Sequence, residues 1–238
     1  MHIKRFLFTA LVLFTLVGLA SAEQVCTESE YKGRTIKKCR DTGSSGGDSS
    51  MDSFTDPRDG QTYRTVQIGS QTWMAENLNY RTDDSYCYDD ESANCRKYGR
   101  LYTWNAALNA CPSGWHLPSK AEFETLLKRT GEFVEEEYEI EIYSSGRSLK
   151  STSGWNDYKG KNGNGTDSYG FSALPAGGRG DVGDFGGVGY NAGFWSATEC
   201  YSNGAYHMGL GYDDDSADLG YHFKDIGLSV RCLRNSRL

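Results

Sequence analysis

Hydrophobic and polar residues alternate in two short runs near the start of the main part of the chain. These runs are Thr62–Ile68 and Gln71–Met74, and Gly69 and Ser70 separate them. Glycine in the first position of a two-residue loop favours a type II′ turn, because that position requires a positive φ. The pattern therefore predicts a β-hairpin.

A helical spacing of hydrophobic residues follows further along the chain. Leu101, Trp104 and Leu108 recur at helical intervals, and Cys111 continues the same stripe. Pro112 ends the pattern, because proline cannot continue a helix. These residues predict a first helix.

A second helix has a clearer start. Ser119 and Glu122 have the spacing of a capping box, in which each side chain bonds to the backbone of the other residue. Phe123, Leu126 and Leu127 then recur at helical spacing and predict the buried face.

The periodic pattern disappears between residues 154 and 193. Nine glycines lie between Gly170 and Gly193. A long irregular segment inside a compact domain is uncommon unless it is functional or disordered. We therefore expect residues 154–193 to form a functional loop region.

Strand patterns return after this loop region, at residues 194–198, 205–212, 221–224 and 228–233. In the last run Leu228, Val230 and Cys232 share one face, so we expect Cys232 to point into the core. The predicted fold class is α+β, with an N-terminal hairpin, two helices, a long irregular loop region and a C-terminal antiparallel sheet. Both ends of this domain lie in strands that could pair.

The N-terminus has the pattern of a secretory signal peptide. Lys4 and Arg5 precede the apolar residues 6–19, and the Ala-Ser-Ala sequence at 20–22 is a small-residue cleavage site. The apolar run has about 14 residues, short of the roughly 20 that span a bilayer. We predict cleavage after residue 22 and export, rather than a permanent anchor. The residues before Cys26 do not fit a lipoprotein signal.

Composition divides the chain into four parts. Residues 1–22 are the signal peptide, 23–40 form a small segment looped by cysteines, 41–55 form a flexible Gly/Ser/Asp linker, and 56–238 form one compact domain.

The charge of the chain argues against two classes of partner. The sequence has 25 basic and 32 acidic residues and a net charge of −7, and removal of residues 1–22 takes away bases only. Nucleic acids and anionic membranes bind basic surfaces. We therefore expect neither as a partner, and no membrane span in the mature chain.

The chain contains seven cysteines. In an exported protein this number predicts a disulfide framework with one thiol left over. Zinc binding, the alternative, needs closely spaced ligands such as C-x-x-C, which this sequence lacks. We predict the disulfides Cys26–Cys39, Cys87–Cys95 and Cys111–Cys232, with Cys200 as the free thiol.

Five ordered stretches carry a family resemblance. They are DPRDGQTYRTVQIGSQTWMAENLNY (56–80), YGRLYTWNAA (98–107), CPSGWHLPSKAEFETLL (111–127), NGTDSYGFSALPAGGR (164–179) and the closing motifs FWSATE and GLSVRCLRN (194–235). Together they resemble the Fibrobacter succinogenes major paralogous domain. That family occurs on exported and surface proteins, and its molecular role is undefined, so the resemblance implies location and fold rather than an activity.

A wider similarity concerns the fold. The WHLPS sequence at 115–119, followed by AEFE at 121–124, is similar to a helix start of the formylglycine-generating, sulfatase-modifying enzymes. Those enzymes have a C-type-lectin-like core, so the resemblance implies a C-type-lectin-like domain. Their chemistry depends on a closely spaced cysteine pair near the C-terminus. The matching region here has only Cys232, so we do not expect that activity.

Other catalytic patterns are absent from the sequence. It contains neither G-x-S-x-G nor H-E-x-x-H, and His116, His207 and His222 are isolated. We interpret these histidines as half-buried polar residues, and the chain as a protein that is not an enzyme.

Calcium is the one cofactor that the sequence suggests, because Ca²⁺ takes oxygen ligands from loops. The sharpest acidic set is Asp213, Asp215 and Asp218, and Asn162, Asn164 and Asp167 form a second set. The alternative is that both are ordinary solvated turns.

Aromatic and polar residues of the loop region form the predicted contact surface. Flat rings beside amide, carboxylate and guanidinium groups suit the apolar faces and hydroxylated rims of sugars, and also protein interfaces. The candidate ligand-binding residues are Trp155, Tyr158, Asn164, Asp167, Arg179 and Tyr190. We predict a secreted or cell-surface binding module for an extracellular glycan or protein. The alternatives are a subunit of a cell-surface layer or appendage, and an enzyme with an unrecognised site.

Overall fold

The computed structural model describes residues 24–31, 34–41, 52–135, 140–143 and 145–236, and the predicted signal peptide lies outside them. The strands, in chain order, are β1 (Gln24–Tyr31), β2 (Arg34–Asp41), β3 (Asp52–Thr55), β4 (Thr62–Ile68), β5 (Gln71–Met74), β6 (Ser85–Tyr86), β7 (Leu101–Tyr102), β8 (Trp115–His116), β9 (Glu132–Glu135), β10 (Ile140–Tyr143), β11 (Ala176–Arg179), β12 (Phe185–Val188), β13 (Asn191–Tyr201), β14 (Gly204–Gly211), β15 (Asp218–Phe223), β16 (Leu228–Ser229) and β17 (Leu233–Arg234). The helices are α1 (Ser92–Tyr98), α2 (Trp104–Ala107), α3 (Lys120–Thr130) and α4 (Ser145–Leu149), and one turn of 3-10 helix covers Tyr88–Asp90.

These elements form an α+β fold, as predicted from the sequence. A five-stranded sheet has the order β3-β4-β5-β17-β8. The predicted hairpin is β4 and β5, with the expected bounds, and Gly69 in its turn has a φ of 60°. Leu233 of β17 pairs with Trp73 of β5. The first and last strands of the domain therefore belong to one sheet.

The same sheet changes the predicted boundary of the linker. Asp52–Thr55, which composition assigned to the linker, forms β3 and pairs with β4. Phe54 explains the difference, because its ring packs against Trp115 with the ring centroids 5.2 Å apart. A single partly buried aromatic side chain thus adds four residues to the domain.

A four-stranded sheet has the order β1-β2-β9-β10. Strands β1 and β2 cover most of the predicted Cys-looped segment 23–40 and form a hairpin, in which Cys26 lies opposite Cys39. Cys26 is disulfide-bonded. Because β2 also pairs with β9, the N-terminal hairpin is joined to the main domain.

The second predicted helix is confirmed as α3. Ser119 and Glu122 form the complete capping box. Phe123, Leu126 and Leu127 are fully buried, and the ring of Phe123 stacks on Trp73 with centroids 5.4 Å apart. The helix therefore packs against the five-stranded sheet through the face that its sequence predicts.

The first predicted helix is largely wrong. Leu101 lies in β7, where it pairs with Ser229 of β16, and α2 contains four residues only. Leu108 follows α2 and is 39% exposed. The hydrophobic stripe thus combines Leu101, a buried strand residue, with residues in and after α2. Pairing of Leu101 with the distant β16 outweighs the local helical spacing.

The third sheet contains the order β12-β11-β13-β16-β7-β6, and β14 and β15 extend it from β13. Residues 154–193 are therefore not irregular throughout, since they include β11, β12 and the start of β13. Their glycines hide the strand pattern, because glycine contributes no side chain to a hydrophobic alternation.

Two hydrophobic clusters fill the space between these layers. One contains Trp73, Phe123 and Phe171, and the other contains Trp195, Tyr102 and Cys232. Within the described residues, no helix is both long and apolar enough to cross a membrane.

A buried cation lies in the same core. Arg231 is completely buried, and its guanidinium donates to Asn77 Oδ1 and to the carbonyl oxygens of Met74 and Phe171. Burial lowers the pKa of Arg231 to about 9. These oxygens replace the water that a buried guanidinium loses.

Two predicted disulfides are present among the described side chains. Cys87 is bonded to Cys95, and Cys111 is bonded to Cys232 across 121 residues of chain. Cys200 is the free cysteine of the described residues, as predicted.

Candidate functional site

A groove of about 610 Å³ lies over the face formed by β11 to β15. We call it the glycine groove. Its lining residues are Gly177, Gly178, Arg179, Gly180, Asp184, Gly186, Gly187, Asn191, Ala192, Gly193, His207, Gly209, Leu210, Gly211, Asp214, Asp218, His222, Ile226 and Leu228. Eight of these are glycines, so much of the lining is bare backbone.

Strand register explains how the groove is arranged. Gly193 of β13 pairs with Gly209 of β14, and Gly209 pairs with Asp218 of β15. Since paired residues share a face of the sheet, a row of two glycines ends at a carboxylate. His207 is two residues from Gly209 in β14, so its side chain points to the same face.

The glycines are necessary for the shape of the groove. A Cβ atom at Gly209 would lie 2.6 Å from Asp218 Oδ1, and a Cβ atom at Gly193 would lie 3.0 Å from Leu228 Cδ2. A Cβ at Gly180 would overlap the carboxylate of Asp184. The small residues therefore leave room for the polar side chains that line the groove.

Gly186 differs from these positions. It pairs with Gly178 across β12 and β11, and a Cβ atom at Gly178 would contact Leu228, which lines the groove. Gly186 thus shares the groove face, and a Cβ atom there would meet nothing within 4 Å. A side chain at position 186 would enter the open space of the groove.

Polar side chains in the groove are accessible to a ligand. Asp184, Asn191, Asp218 and His222 are all exposed. Asp218 is nevertheless surrounded by protein atoms in this concave site, and that burial raises the pKa of its carboxyl group, with the nearby Asp214 raising it further.

His207 lies deeper in the groove. Its ring centroid is 4.9 Å from that of His222. Burial, and then the charge of His222, lowers the pKa of His207 to about 4, so the imidazole is neutral at neutral pH. Its buried Nδ1 atom has no hydrogen-bond partner among the described residues.

Arg179, a predicted ligand-binding residue, lines the glycine groove. Its guanidinium lies over the ring of Tyr86, 3.9 Å from the centroid. Its backbone bonds to Gly227, with N–H to O and O to N–H distances of 2.9 and 2.7 Å. Stacking on Tyr86 therefore holds this cation at the side of the groove.

Trp155 is not exposed, and the expectation that it lies on the contact surface is wrong in that respect. It is 4% exposed and belongs to the same core cluster as Phe171. Its Nε1 donates to Ser151 Oγ and to the carbonyl oxygen of Ala173. The surrounding sequence has no regular period, so no sequence pattern indicated that Trp155 is buried.

Asn164 and Asp167 support the backbone. Asn164 Oδ1 accepts a hydrogen bond from the N–H of Trp155 at 2.9 Å. The carboxylate of Asp167 accepts hydrogen bonds from the N–H and the hydroxyl of Ser172. Neither residue lines the glycine groove.

Asp167 lines a different cavity, of about 310 Å³. Arg64 and Glu76 also line that cavity, and they form an ion pair with an Nε to Oε1 distance of 3.1 Å. Because Arg64 and Glu76 already pair with each other, this second cavity is a weaker candidate for a binding site.

Tyr158 and Tyr190 belong to a tyrosine cluster with Tyr212. The rings of Tyr158 and Tyr190 meet that of Tyr212 edge-on, with centroids 5.3 and 4.9 Å apart respectively. Tyr190 is 46% exposed. Asn191 follows Tyr190 in the chain and Gly211 precedes Tyr212, and both Asn191 and Gly211 line the glycine groove. The cluster therefore lies beside one end of the groove.

The sequence analysis missed Asp184, Asn191, His207 and His222 as site residues, and it considered Asp218 only as a metal ligand. One signal could have found part of the groove. His207, Gly209 and Gly211 alternate along a single strand, and glycine repeated on one strand face indicates a close approach of another group.

The predicted calcium ligands are not grouped together. Asp215 Oδ2 lies 3.5 Å from Arg147 Nη1, and Asp218 lies in the groove. In the described part of the chain, no three His, Cys, Asp or Glu side chains are placed to hold a metal ion. Calcium binding stays a prediction.

Comparison with known proteins gives one match. The model of the Fibrobacter succinogenes major domain matches residues 66–234, which is more than half of the chain. No curated protein and no solved structure matches the chain. The matched range contains α3, the whole glycine groove and the Cys111–Cys232 disulfide. The chain belongs to the Fibrobacter succinogenes major domain family.

Proposed function

We propose that this protein is an exported binding module, not an enzyme, and that the glycine groove holds an extended glycan. The observation that carries the proposal is the combination of a backbone floor with exposed hydrogen-bonding side chains. Gly186, Gly193 and Gly209 expose the floor, while Asp184 and Asp218 stand beside it.

A glycine floor suits a sugar chain for a physical reason. Strand glycines let a flat ligand approach the backbone closely. The carboxylates accept hydrogen bonds from hydroxyl groups, and Asn191 can both donate and accept. Such convergent polar groups fix the orientation of a ligand in a pocket.

The tyrosine cluster supports the same proposal. Tyrosine rings offer an apolar face and a polar hydroxyl, and Tyr190 is exposed beside Asn191. A sugar that leaves the groove at this end would meet Tyr190. Of the residues predicted from the sequence, Arg179, Tyr190 and Tyr158 thus remain proposed contacts.

The proposal also includes export of the protein and a C-type-lectin-like fold. Stable disulfides occur mainly in exported proteins, so Cys87–Cys95 and Cys111–Cys232 support a secreted or cell-surface location. The pairing of β5 with β17 supports a C-type-lectin-like arrangement, in which terminal strands meet.

The test fills the groove without disturbing the fold. Gly186→Leu adds a side chain to open space, and Val182→Leu is the matched control because Val182 is 86% exposed and lies outside the groove. Binding to a panel of plant cell-wall polysaccharides is measured by affinity electrophoresis. We expect Gly186→Leu to weaken binding by roughly tenfold or more, about 1.4 kcal/mol. Equal binding by both variants would place the binding site elsewhere.

A second candidate, an assembly role, rests on a different surface. Tyr201, Tyr221 and Phe223 are each more than half exposed, and β15 pairs only with β14 among the described strands. An open strand edge with exposed aromatic residues favours self-association. Self-association on a sizing column that Tyr221→Glu abolishes would support this role, and a monomer at high concentration would exclude it.

A further inference from the structure

The carboxylates of the glycine groove have no cationic partner. Asp184 and Asp218 are exposed, and no Lys or Arg of the described residues lies within ion-pair distance of either. This differs from the smaller cavity, where Arg64 pairs with Glu76. Both carboxylates are therefore free to form an ion pair with a ligand.

The basic groups near the groove form no ion pair with these two carboxylates. Arg179 is held over the ring of Tyr86. Lys150, at the buried side, donates to the backbone carbonyl oxygens of Gly211 and Asp214. Neither cation pairs with the carboxylates of Asp184 and Asp218.

His207 adds no positive charge at neutral pH. Burial keeps His207 neutral. The charged lining is net negative, because it contains the carboxylates of Asp184, Asp214 and Asp218 and the guanidinium of Arg179. A concave site with a net charge concentrates ligands of the opposite sign. Anionic polysaccharides are therefore poor ligands, and a ligand with positive charge gains an interaction that a neutral glycan lacks.

We infer that the groove selects glycans that carry free amino groups, whose ammonium ions interact with the carboxylates of Asp184 and Asp218. This inference rests on the proposed function and names its ligand class. An amino sugar keeps the flat ring that fits the glycine floor. An ammonium group adds up to three hydrogen-bond donors, and ionised carboxylates accept them.

A lysine-rich peptide offers the same ammonium chemistry, but the observations favour a sugar. A peptide side chain reaches a carboxylate without needing bare backbone beside it. Six glycines between residues 177 and 193 line the groove, together with Gly209 and Gly211. That extended floor suits a flat ring at each carboxylate.

The test compares three oligosaccharides of equal length and the same β-linked backbone. A glucosamine oligomer carries ammonium groups, an N-acetylglucosamine oligomer carries neutral amides, and a cello-oligosaccharide carries hydroxyls at the same position. Isothermal titration is performed at mildly acidic pH with the full-length mature protein. We expect the glucosamine oligomer to bind roughly tenfold more tightly than the other two, as two accessible ion pairs allow, and the preference to shrink as salt is added.

Three variants locate the effect. Asp184→Asn and Asp218→Asn each keep the side-chain shape and one oxygen that accepts from hydroxyl groups, but they lose the charge. Each should therefore weaken the glucosamine oligomer more than the cello-oligosaccharide and so reduce the preference severalfold. Asp83→Asn is the control, since Asp83 is exposed and does not line the groove, and the substitution changes the net charge equally. The control should bind all three sugars as the wild type does.

Opposite outcomes would overturn the inference. Equal binding of the cello and glucosamine oligomers would refute selection for amino groups while leaving the groove as a glycan site, provided that Gly186→Leu still weakens binding. An equal loss in Asp83→Asn would assign the preference to net charge. Binding of a lysine oligopeptide, with no binding of any sugar, would reject both the amino-glycan inference and the proposed function.

Discussion

Gly209 and Asp218 lie opposite each other in the β14–β15 ladder, and a Cβ atom on residue 209 would stand 2.6 Å from Asp218 Oδ1. The carboxylate occupies the space that any other residue type would need. The position of Asp218 in the groove therefore depends on the glycine of the neighbouring strand.

The first prediction concerns this pair. Gly209→Ala should lower the free energy of unfolding by about 1–3 kcal/mol, because the added methyl group overpacks the site. Urea denaturation measures the change. Gly186→Ala is the matched control and should be nearly neutral, since that position is open. If the contact is responsible, Asp218→Ala should restore stability to the Gly209→Ala variant.

The second prediction separates two aromatic residues that the sequence placed on one surface. Trp155→Ala should cost about 3–5 kcal/mol, as for a large side chain lost from a core. Tyr190→Ala should cost about 1 kcal/mol or less because the ring is 46% exposed. Thermal unfolding of both variants measures the difference. Comparable losses would mean that the tyrosine cluster is part of the core.

A third prediction concerns acid stability. The pKa of His207 falls from 6.5 to about 4 on folding, so between these values the unfolded chain binds more protons than the folded one. Stability should therefore fall as the pH decreases from about 6.5 towards 4, with a His207 contribution of at most about 3 kcal/mol.

The raised pKa of Asp218 has the opposite effect, since it increases stability as the pH falls. The pH dependence of the wild type alone therefore does not isolate the contribution of His207. His207→Gln removes only the contribution of the imidazole to the pH dependence of stability. Urea titrations at several pH values should show a flatter pH dependence for this variant than for the wild type. Parallel curves would indicate that His207 is readily protonated in the folded protein.

The fourth prediction concerns the long-range disulfide. Replacing Cys111 and Cys232 together with alanine should cost on the order of 4–5 kcal/mol, because the bond closes a loop of 121 residues in the unfolded chain. Removal of Cys87 and Cys95, which are eight residues apart, should cost roughly half as much on the same account. The reverse order would show that strain or residual structure, not loop closure, determines both values.

Local patterns predicted the elements that local interactions form. The β4–β5 hairpin depends on the turn at Gly69, and α3 depends on the capping box of Ser119 and Glu122, so a short stretch of sequence contains the information. The prediction of a first helix around α2 was wrong because a distant interaction determines the structure there. Leu101 belongs to a strand because it pairs with Ser229, more than a hundred residues away.

The candidate site was predicted only in part for a similar reason. Arg179 was found because it is a charged residue in the glycine-rich segment. Asp184 and His207 become neighbours of one groove only through the register of β11 to β15. Glycine contributes no hydrophobic signal, so a floor made of glycines has no periodic pattern that the sequence could reveal.

The pairing of β5 with β17 has a consequence for how this domain can be combined with others. The chain enters and leaves the domain through one sheet, whereas the glycine groove lies over another. A domain with this arrangement can be inserted into a surface loop of a host protein, or circularly permuted, without altering the groove. Its architecture is thus suited to repeated duplication and to transfer between different host proteins.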